Sequence, residues 1–368
     1  MMMMWFSITL LSALMVVAQT IFYPPIGVVV CYYGEGANER TGVGRFGVSD
    51  LPTNLCTHIV YSFLLPNGTT GGIIAPEETT YEGKSNSVAD LIALKKKNCN
   101  LKIMAAIGGW NEGSTNFTAL VNDDTLRATL VSNLYNYIDS NGFDGLDLDW
   151  EYPAQRGGAD SDKVPKNHLL IIIFFFPIQQ FLLMKQWQVG SASAISFRTI
   201  RGVNAPLYAQ LTDDASLNFN VNNSVNVWIS NGATPSKLVL GLGAYGKTFT
   251  LTSLNNTSTG APVTGAGAAG PYVAEAGTYS YYEICEDQVN NAAEWNITEV
   301  EGNYVYANKD LFWVGYDNPN TIKAKAQYAK TMGLGGIMYW AVDLDDFSGL
   351  CGHKYPLISA GIAGYNCA

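Results

Sequence analysis

Six short apolar runs, rich in β-branched and aromatic residues, constrain the fold of this sequence more than any other feature. Runs that are apolar almost throughout are typical of strands buried on both faces, as in a parallel sheet. Their number and spacing predict a sheet in which consecutive strands are joined by longer connections. The runs are Ile26–Tyr33, Cys56–Leu64, Leu101–Gly109, Gly142–Trp150, Lys237–Ala244 and Leu334–Val342.

Helical patterns lie between several of these runs. Ser87–Lys97 begins at a polar residue and ends in three lysines, which suit the carboxyl end of a helix. Asp124–Ser140 and Asn320–Met332 carry apolar residues at helical spacing. The alternation of strands and helices predicts an α/β fold with parallel strands. Six visible strands, with room for two more, predict a (β/α)8 TIM barrel, whose active site would lie at the carboxyl ends of the strands.

Composition excludes two classes of protein. Hydrophobic residues make up 48% of the 368 residues, which is too many for a disordered chain. The net charge is −10, from 21 basic and 31 acidic residues, so no electrostatic attraction favours binding to nucleic acid. The three histidines are scattered and have no metal-ligand spacing, so we expect no metal site.

The amino-terminal segment predicts secretion. Met4–Val17 is almost wholly apolar and is followed by small residues, so residues 1–20 are interpreted as a signal peptide. The run is short for a membrane span, although an uncleaved anchor is the alternative. We therefore expect an extracellular protein with no membrane contact after cleavage. Six cysteines suit an oxidising compartment but leave 15 pairings open. Six glycosylation sequons begin at Asn67, Asn116, Asn222, Asn255, Asn256 and Asn296.

The strongest chemical signal is a row of carboxylates in the fourth run. Because side chains alternate along a strand, Asp147, Asp149 and Glu151 point to one face and the intervening apolar residues to the other. Like charges this close raise at least one pKa, as a general acid requires. Glu151 lies at the carboxyl end of the strand and is the predicted proton donor. A solvated edge strand or a calcium loop is disfavoured by the flanking apolar residues and by the spacing.

The order Asp144-x-x-Asp147-x-Asp149-x-Glu151 resembles the signature of family 18 glycoside hydrolases, the chitinases and chitinase-like lectins. Further motifs in the family order extend the resemblance over about 22–162 and 204–361. They are Ala106–Trp110 for the third strand, Lys237–Thr250 for the seventh, Ala261–Glu286 for the start of an insertion and Gly336–Asp346 for the eighth strand.

The resemblance implies a barrel formed by 21–248 and 316–368. A small α+β insertion, 249–315, would lie between strands seven and eight. It also implies two disulfides, Cys31–Cys56 and Cys285–Cys351, and leaves Cys99 and Cys367 unassigned. Two glycine-rich GxGxxG matches, 241–246 and 265–270, open no helical pattern, so we expect neither a dinucleotide site nor any cofactor.

The activity implied by the resemblance is that of a secreted, endochitinase-type glycoside hydrolase. It would cleave β-1,4-linked N-acetylglucosamine polymers with retention and with the help of the substrate. Glu151 would protonate the glycosidic oxygen, the N-acetyl oxygen would attack C1, Asp149 would orient the acetamido group, and Asp147 would share its proton. The partner would be chitin or a chitooligosaccharide, bound by a monomer. The expected substrate contacts are Tyr32, Phe63, Trp110, Tyr152, Tyr245 and Trp340, whose rings suit sugar faces.

One region departs from the family. Lys163–Val203 has 41 residues, too few for the helix, strand, helix and strand that belong there. Within it, Leu169–Met184 has no amphipathic face and contains Pro177. A short membrane span, a buried strand and a stretch that is not native coding sequence are the three interpretations, and the third is favoured. We therefore expect strands five and six to be truncated or aberrant and the barrel to be open there.

These departures support an alternative function. The Met-x-Tyr-Asp motif of the family's sixth strand is not recognisable in the sequence. Gly34 stands where many relatives have Trp, and Lys247 where many have the bidentate donor Arg. A catalytically impaired lectin that holds chitooligosaccharides is therefore the second hypothesis. The retained Glu151 favours the enzyme.

Overall fold

The computed structural model describes residues 27–163, 203–209 and 220–367. Within these ranges the strands follow one another from β1 to β15. In chain order they are Val28–Gly34, His58–Pro66, Ile73–Ile74, Thr80–Tyr81, Lys84–Ser85, Lys102–Gly108, Gly145–Asp149, Val239–Gly243, Tyr245–Leu251, Val263–Ala266, Thr278–Ser280, Asn296–Val300, Tyr304–Lys309, Phe312–Tyr316 and Gly336–Trp340.

The α-helices of the described residues are labelled α1 to α7. In chain order they are Val88–Ala93, Thr115–Asn122, Asp124–Asn141, Val221–Ser230, Tyr281–Asn290, Pro319–Thr331 and Pro356–Asn366. The three helices expected from the sequence correspond to α1, α3 and α6. Local chemistry fixes the ends of α3: the Asp123 side chain accepts hydrogen bonds from the first-turn amides, and Gly142 ends the helix at a φ of 78°.

The main sheet consists of six parallel strands in the order β7-β6-β2-β1-β15-β8. These are the six apolar runs of the sequence, so all six predicted strands are confirmed. The short β3 adds antiparallel to β2. The sheet is curled and forms half of an α/β barrel of the predicted (β/α)8 type. Its strands are buried because helices cover one face and side chains fill the other.

The second sheet is built from the chain between β8 and β15. Its order is β10-β9-β14-β13-β12, with β11 on the other side of β9, and all its pairings are antiparallel. It extends from Tyr245 to Tyr316 and thus includes the segment 249–315 that was expected as an insertion. Trp313 is fully buried in its own apolar cluster, separate from the barrel core.

Both disulfides implied by the family resemblance are formed. Cys31 of β1 is bonded to Cys56, which precedes β2. Cys285 of α5 is bonded to Cys351, beyond β15, and so ties the second sheet region to the barrel. Cys99 and Cys367 are free and exposed.

Several expectations fall on residues 1–26, 164–202 and 210–219, which lie outside the described residues. They are the signal peptide, the apolar stretch Leu169–Met184, and the truncation of strands five and six. No α-helix in the described part of the chain combines the length and apolar character that crossing a membrane requires.

Candidate active site

The carboxylates of β7 lie at the carboxyl end of the sheet, where the sequence places them. Asp147 is 0% exposed, and Asp149 and Glu151 are each 5% exposed. Asp147 and Asp149 belong to β7, and Glu151 follows two residues after it. The three acids are therefore withdrawn from water, which disfavours their charged forms.

Burial raises the pKa of all three carboxyl groups. The pKa of Asp147 rises to about 7, although hydrogen bonds from the Tyr32 hydroxyl and the Leu148 backbone oppose the shift. The pKa of Asp149 rises well above its usual range, first through burial and then through the neighbouring charges of Asp147 and Glu151. For Glu151, burial outweighs the hydrogen bonds with Tyr152 and Asp149 and the charge of Arg156, all of which lower the pKa.

A hydrogen bond joins Asp149 to Glu151. The hydrogen bond raises the pKa of Asp149 and lowers that of Glu151, but burial keeps the pKa of both groups above its usual range. Within the described residues, Oδ1 of Asp147 and Oε2 of Glu151 are buried without a hydrogen-bond partner. These two oxygens are thus available for hydrogen bonds with a bound molecule.

The neighbouring strand β6 comes unusually close to the end of β7. Gly108 has a φ of 112°, and a Cβ built on it would lie 2.1 Å from the carbonyl oxygen of Asp149. The Gly109 amide donates a 2.8 Å hydrogen bond to that same oxygen. At the next position, a Cβ on Gly109 would meet the ring of Phe63 at 2.5 Å. The two glycines are therefore required for the backbone approach that positions Asp149.

Aromatic side chains form one wall beside the acids. The hydroxyl of Tyr32 donates a 2.6 Å hydrogen bond to Oδ2 of Asp147. The Tyr32 ring lies 5.4 Å from that of Trp340, which in turn stacks on Phe63 at 5.5 Å between centroids with an interplanar angle of 20°. The peptide bonds Ser62–Phe63, Glu151–Tyr152 and Trp340–Ala341 are cis. Tyr32, Phe63 and Trp340 are thus brought together with the carboxylates.

Trp110 lies two residues beyond the end of β6 and is 37% exposed. Arg156 was not recognised in the sequence, yet it connects this ring to the acids. Its guanidinium carbon lies 3.5 Å from the centroid of the Trp110 ring, and Nη1 donates hydrogen bonds to the carbonyl oxygens of Trp110 and Glu151. The only sequence signal was a single cation five residues after Glu151 in an acidic chain.

Tyr152 and Tyr245 complete the set of expected substrate contacts. Tyr152 is the residue after Glu151 and hydrogen-bonds to it, and its carbonyl oxygen accepts a 2.7 Å hydrogen bond from Ser114. Tyr245, at the start of β9, is buried. Burial raises its pKa to about 12, against a hydrogen bond with Asn204, and the charge of Glu151 adds to the rise. Asn204 is the first residue of the segment where the family resemblance resumes, but it was not predicted as a site residue.

Lys247 follows on β9. Its ammonium nitrogen lies 5.4 Å from the centroid of the Tyr245 ring and 2.9 Å from the Thr278 hydroxyl. Burial lowers its pKa. In the described residues, the one group of three potential metal ligands is Cys285, Asp346 and Cys351, but both of its sulfurs are bonded to each other. That group therefore has no thiolate to offer a metal.

Known proteins match both the sequence and the fold. The sequence profile of glycosyl hydrolases family 18 matches residues 28–172 and 175–345, and so extends into the stretch where no family motif was recognisable. An endochitinase of Manduca sexta is 35% identical over 90% of this chain, which spans 66% of that protein.

Solved structures agree with the sequence matches. A Group IV chitinase of Ostrinia furnacalis, solved in complex with allosamidin, superposes with a TM-score of 0.81 at 33% identity, covering 91% of this chain and 97% of that one. Human YKL-39, described as a pseudo-chitinase with retained chitooligosaccharide binding, gives a TM-score of 0.77 at 29% identity, covering 92% and 100%. The carboxylate row, the barrel strands and these matches lead to one conclusion: the chain belongs to family 18 of the glycosyl hydrolases.

Proposed function

We propose that this chain is a chitinase that hydrolyses β-1,4-linked N-acetylglucosamine polymers, with Glu151 as the general acid. The observation that carries the proposal is the burial of Glu151 just beyond the carboxyl end of β7, which raises the pKa of its carboxyl group. A general acid needs a proton that is retained at higher pH than an ordinary carboxyl group allows, and a raised pKa favours the protonated form of Glu151. The free oxygen of Glu151 is available to a glycosidic oxygen.

The hydrogen bond between Asp149 and Glu151 favours a mechanism without an enzyme nucleophile. In glycosidases that form a covalent intermediate, two carboxyl groups flank the scissile bond, one on each side. Asp149 and Glu151 contact each other, so they do not leave room for a sugar between them. The substrate's own N-acetyl oxygen then attacks C1 as Glu151 protonates the leaving oxygen, and an oxazolinium ion forms.

In that step the two aspartates act on the acetamido group. When Glu151 gives up its proton, Asp149 turns its carboxyl group toward the acetamido nitrogen and balances the developing positive charge. Asp147 then shares the proton of Asp149 through a hydrogen bond. Its pKa of about 7 allows it to gain or lose a proton near neutral pH. Water then opens the oxazolinium ion with Glu151 as base, and the configuration at C1 is retained.

The aromatic residues would hold the sugar chain. Trp340, packed against Tyr32 and Phe63, offers a ring beside the acids, and Trp110, which stacks on Arg156, offers a second and more exposed ring. Such rings suit the apolar faces of N-acetylglucosamine units. Tyr152 and Tyr245 supply polar groups close to Glu151.

The test is hydrolysis of a fluorogenic N-acetylchitooligosaccharide by the full chain, compared with Glu151→Gln. General acid catalysis contributes on the order of 10²–10⁴-fold, so we expect turnover to fall by that factor. Glu39→Gln, at an exposed position, is the matched control and should retain full turnover. Equal rates for the wild type and Glu151→Gln would refute the assignment of Glu151.

The second candidate is a lectin that binds the same oligosaccharides without cutting them. It is favoured by the missing Met-x-Tyr-Asp motif and by the structural similarity to a pseudo-chitinase that binds chitooligosaccharides. Calorimetric binding of chitotetraose by soluble, folded wild-type chain that shows no turnover would support the lectin. Turnover that depends on Glu151 would exclude it.

Secretion is part of the proposal. The two disulfides support folding in an oxidising compartment, as does the apolar amino-terminal segment. We expect the mature protein to be an extracellular monomeric glycoprotein that begins near residue 21. Amino-terminal sequencing of protein from the medium of a eukaryotic host tests this, and a chain retained in the cell with residues 1–20 intact would contradict it.

A further inference from the structure

The second sheet has an open edge. Strand β12 is the last strand in its order, and no other described strand pairs with its outer side. All five of its residues are exposed, and two of them are large and apolar: Ile297 is 53% exposed and Val300 is 37% exposed. Exposed apolar edge strands are templates for pairing with another chain, and natural proteins block them with charges, bulges or a covering group.

The strand itself begins with a glycosylation sequon, Asn296-Ile297-Thr298. Asn296 is exposed, and within the described residues no hydrogen bond holds its side chain. Its backbone is fixed by the pairing of β12 with β13, where it lies opposite Asn308. An attached group at this position therefore projects from a rigid strand at the edge of the sheet and displaces no contact.

Two other sequons lack this freedom. Asn116 in α2 donates to Oε1 of Glu112 and accepts from the amide of Gly68. Asn222 in α4 accepts a 3.0 Å hydrogen bond from the Tyr328 hydroxyl. Both side chains are half-buried and held against neighbouring residues, which leaves less room for an attached group than at Asn296. Asn255 and Asn256 are exposed, but they lie in a loop between strands and leave β12 uncovered.

We propose that Asn296 carries an N-linked glycan and that this glycan shields the open edge of β12. The proposal rests on the proposed passage through the secretory pathway. The donor is an oligosaccharide linked to a lipid diphosphate. Nδ2 of Asn296 forms a bond to C1 of the first sugar, the bond from C1 to the diphosphate oxygen breaks, the lipid diphosphate leaves with the electron pair, and Nδ2 loses a proton.

Occupancy is tested by mass spectrometry of the peptide that contains Asn296, with and without enzymatic deglycosylation. The full chain is expressed in a eukaryotic host, once with its own amino-terminal segment and once with a host signal peptide before residue 21. We expect one glycan at Asn296, absent from both Asn296→Gln and Thr298→Ala. An unmodified peptide in protein recovered from the medium would overturn the proposal. Secretion only with the host signal refutes the predicted signal peptide but still tests Asn296.

The shielding role is tested by sedimentation velocity over a range of concentrations. We expect wild type to stay monomeric, and Asn296→Gln and Thr298→Ala to self-associate alike. Adding Ile297→Lys to Asn296→Gln should restore the monomer, because a lysine at an edge prevents pairing. Asn255→Gln, an exposed asparagine outside β12, is the control and should behave as wild type. Monomeric behaviour of both unglycosylated variants at every concentration would refute the shielding role.

Discussion

Tyr32 and Asp147, 115 residues apart in the sequence, are joined by a 2.6 Å hydrogen bond in which the phenol donates to Oδ2 of the carboxylate. Both groups are buried, and the same Tyr32 ring packs against Trp340. One residue of β1 therefore couples the acid row of β7 to the aromatic wall at the end of β15. A substitution at Tyr32 should therefore change both the pKa of Asp147 and the packing of the Trp340 ring.

Tyr32→Phe removes the hydroxyl and keeps the ring. Because a hydrogen bond to the charged form lowers a carboxyl pKa, its loss should raise the pKa of Asp147 and move the corresponding limb of the pH–rate profile to higher pH. At pH 8, where Asp147 is ionised, the free energy of unfolding should fall by about 1.5–3 kcal/mol, the usual size for a hydrogen bond to a charged group.

Tyr33→Phe is the matched control for Tyr32→Phe. Tyr33 is the next residue of β1 and is also fully buried, but its hydroxyl has no hydrogen-bond partner within the described residues. Its pH–rate profile should match that of the wild type. Urea unfolding at pH 8 and the pH dependence of kcat measure both variants, and an unshifted profile for Tyr32→Phe would contradict the proposed coupling.

The buried carboxyl row should make the folded chain less stable as the pH rises from about 4 to about 7. An ordinary aspartate releases its proton near pH 4, whereas folded Asp147 holds it up to about pH 7. Between these values the folded chain binds more protons than the unfolded chain, so the free energy of unfolding decreases with increasing pH. Above pH 7 the contribution of Asp147 is constant.

Asp147→Asn isolates this contribution, because the amide cannot ionise but can still accept the Tyr32 hydrogen bond. We expect the variant to lose less stability than wild type between pH 4 and pH 7, in urea unfolding measured at half-unit steps. Asp139→Asn, at an exposed position of α3, serves as the control and should follow the wild-type curve. Parallel curves for Asp147→Asn and wild type would show that the pKa of Asp147 is not raised.

Arg156→Ala should affect the site through Trp110 and Glu151. Loss of the cation–π contact, worth about 1 kcal/mol, should lower kcat/KM about fivefold as Trp110 loses its support. Removal of the positive charge should also raise the pKa of Glu151 and extend the basic limb of the pH–rate profile to higher pH. Arg156→Lys retains the charge, so its profile should stay close to wild type. If kcat/KM falls but the basic limb of the pH–rate profile does not shift, the charge of Arg156 has no effect on Glu151 and its role is structural only.

A buried ion pair should stabilise the junction of the second sheet and the barrel. Nζ of Lys325 in α6 lies 2.5 Å and 2.6 Å from the two carboxylate oxygens of Asp317, just after β14, and both side chains are buried. Lys325→Met leaves a buried carboxylate alone, so we expect a loss of about 3–5 kcal/mol in the free energy of unfolding.

Two comparisons make the test of this pair specific. The double variant Lys325→Met with Asp317→Leu should recover most of the loss, because it leaves no unpaired charge. Lys309→Met removes two pairs near the surface, with Asp287 and Glu294, whose side chains are 36% and 59% exposed, and should cost far less. Chemical denaturation measures all three. A double variant as unstable as Lys325→Met would show that the loss comes from packing and not from the isolated charge.

Much of the fold could be predicted because its signals are local. The six apolar runs coincide with β1, β2, β6, β7, β8 and β15, since strands buried on both faces must be apolar along their whole length. The pairing of strands is not a local property. The placement of β1 between β2 and β15, which brings Tyr32 to Asp147, emerges only when the sheet curls.

The residues of the site also fall into two groups, those with a local sequence signal and those without one. The strict alternation of side chains along a strand was enough to place Asp147, Asp149 and Glu151 on one face and to single out Glu151 at its end. Arg156 and Asn204 gave no comparable signal, since each acts through a contact with another segment: Arg156 with Trp110, and Asn204 with Tyr245. Contacts of this kind depend on loop conformation, which the pattern of apolar residues does not specify.

The sequence by itself thus determined the strand order along the chain, the position of the carboxylate row and the family. The tertiary structure alone decided how deeply the three carboxyl groups are buried, which rings lie beside them, and which edge of the second sheet is open. The physical reason is that strand periodicity is a property of neighbouring residues. Desolvation, hydrogen bonding and edge exposure, in contrast, depend on residues that only folding brings together.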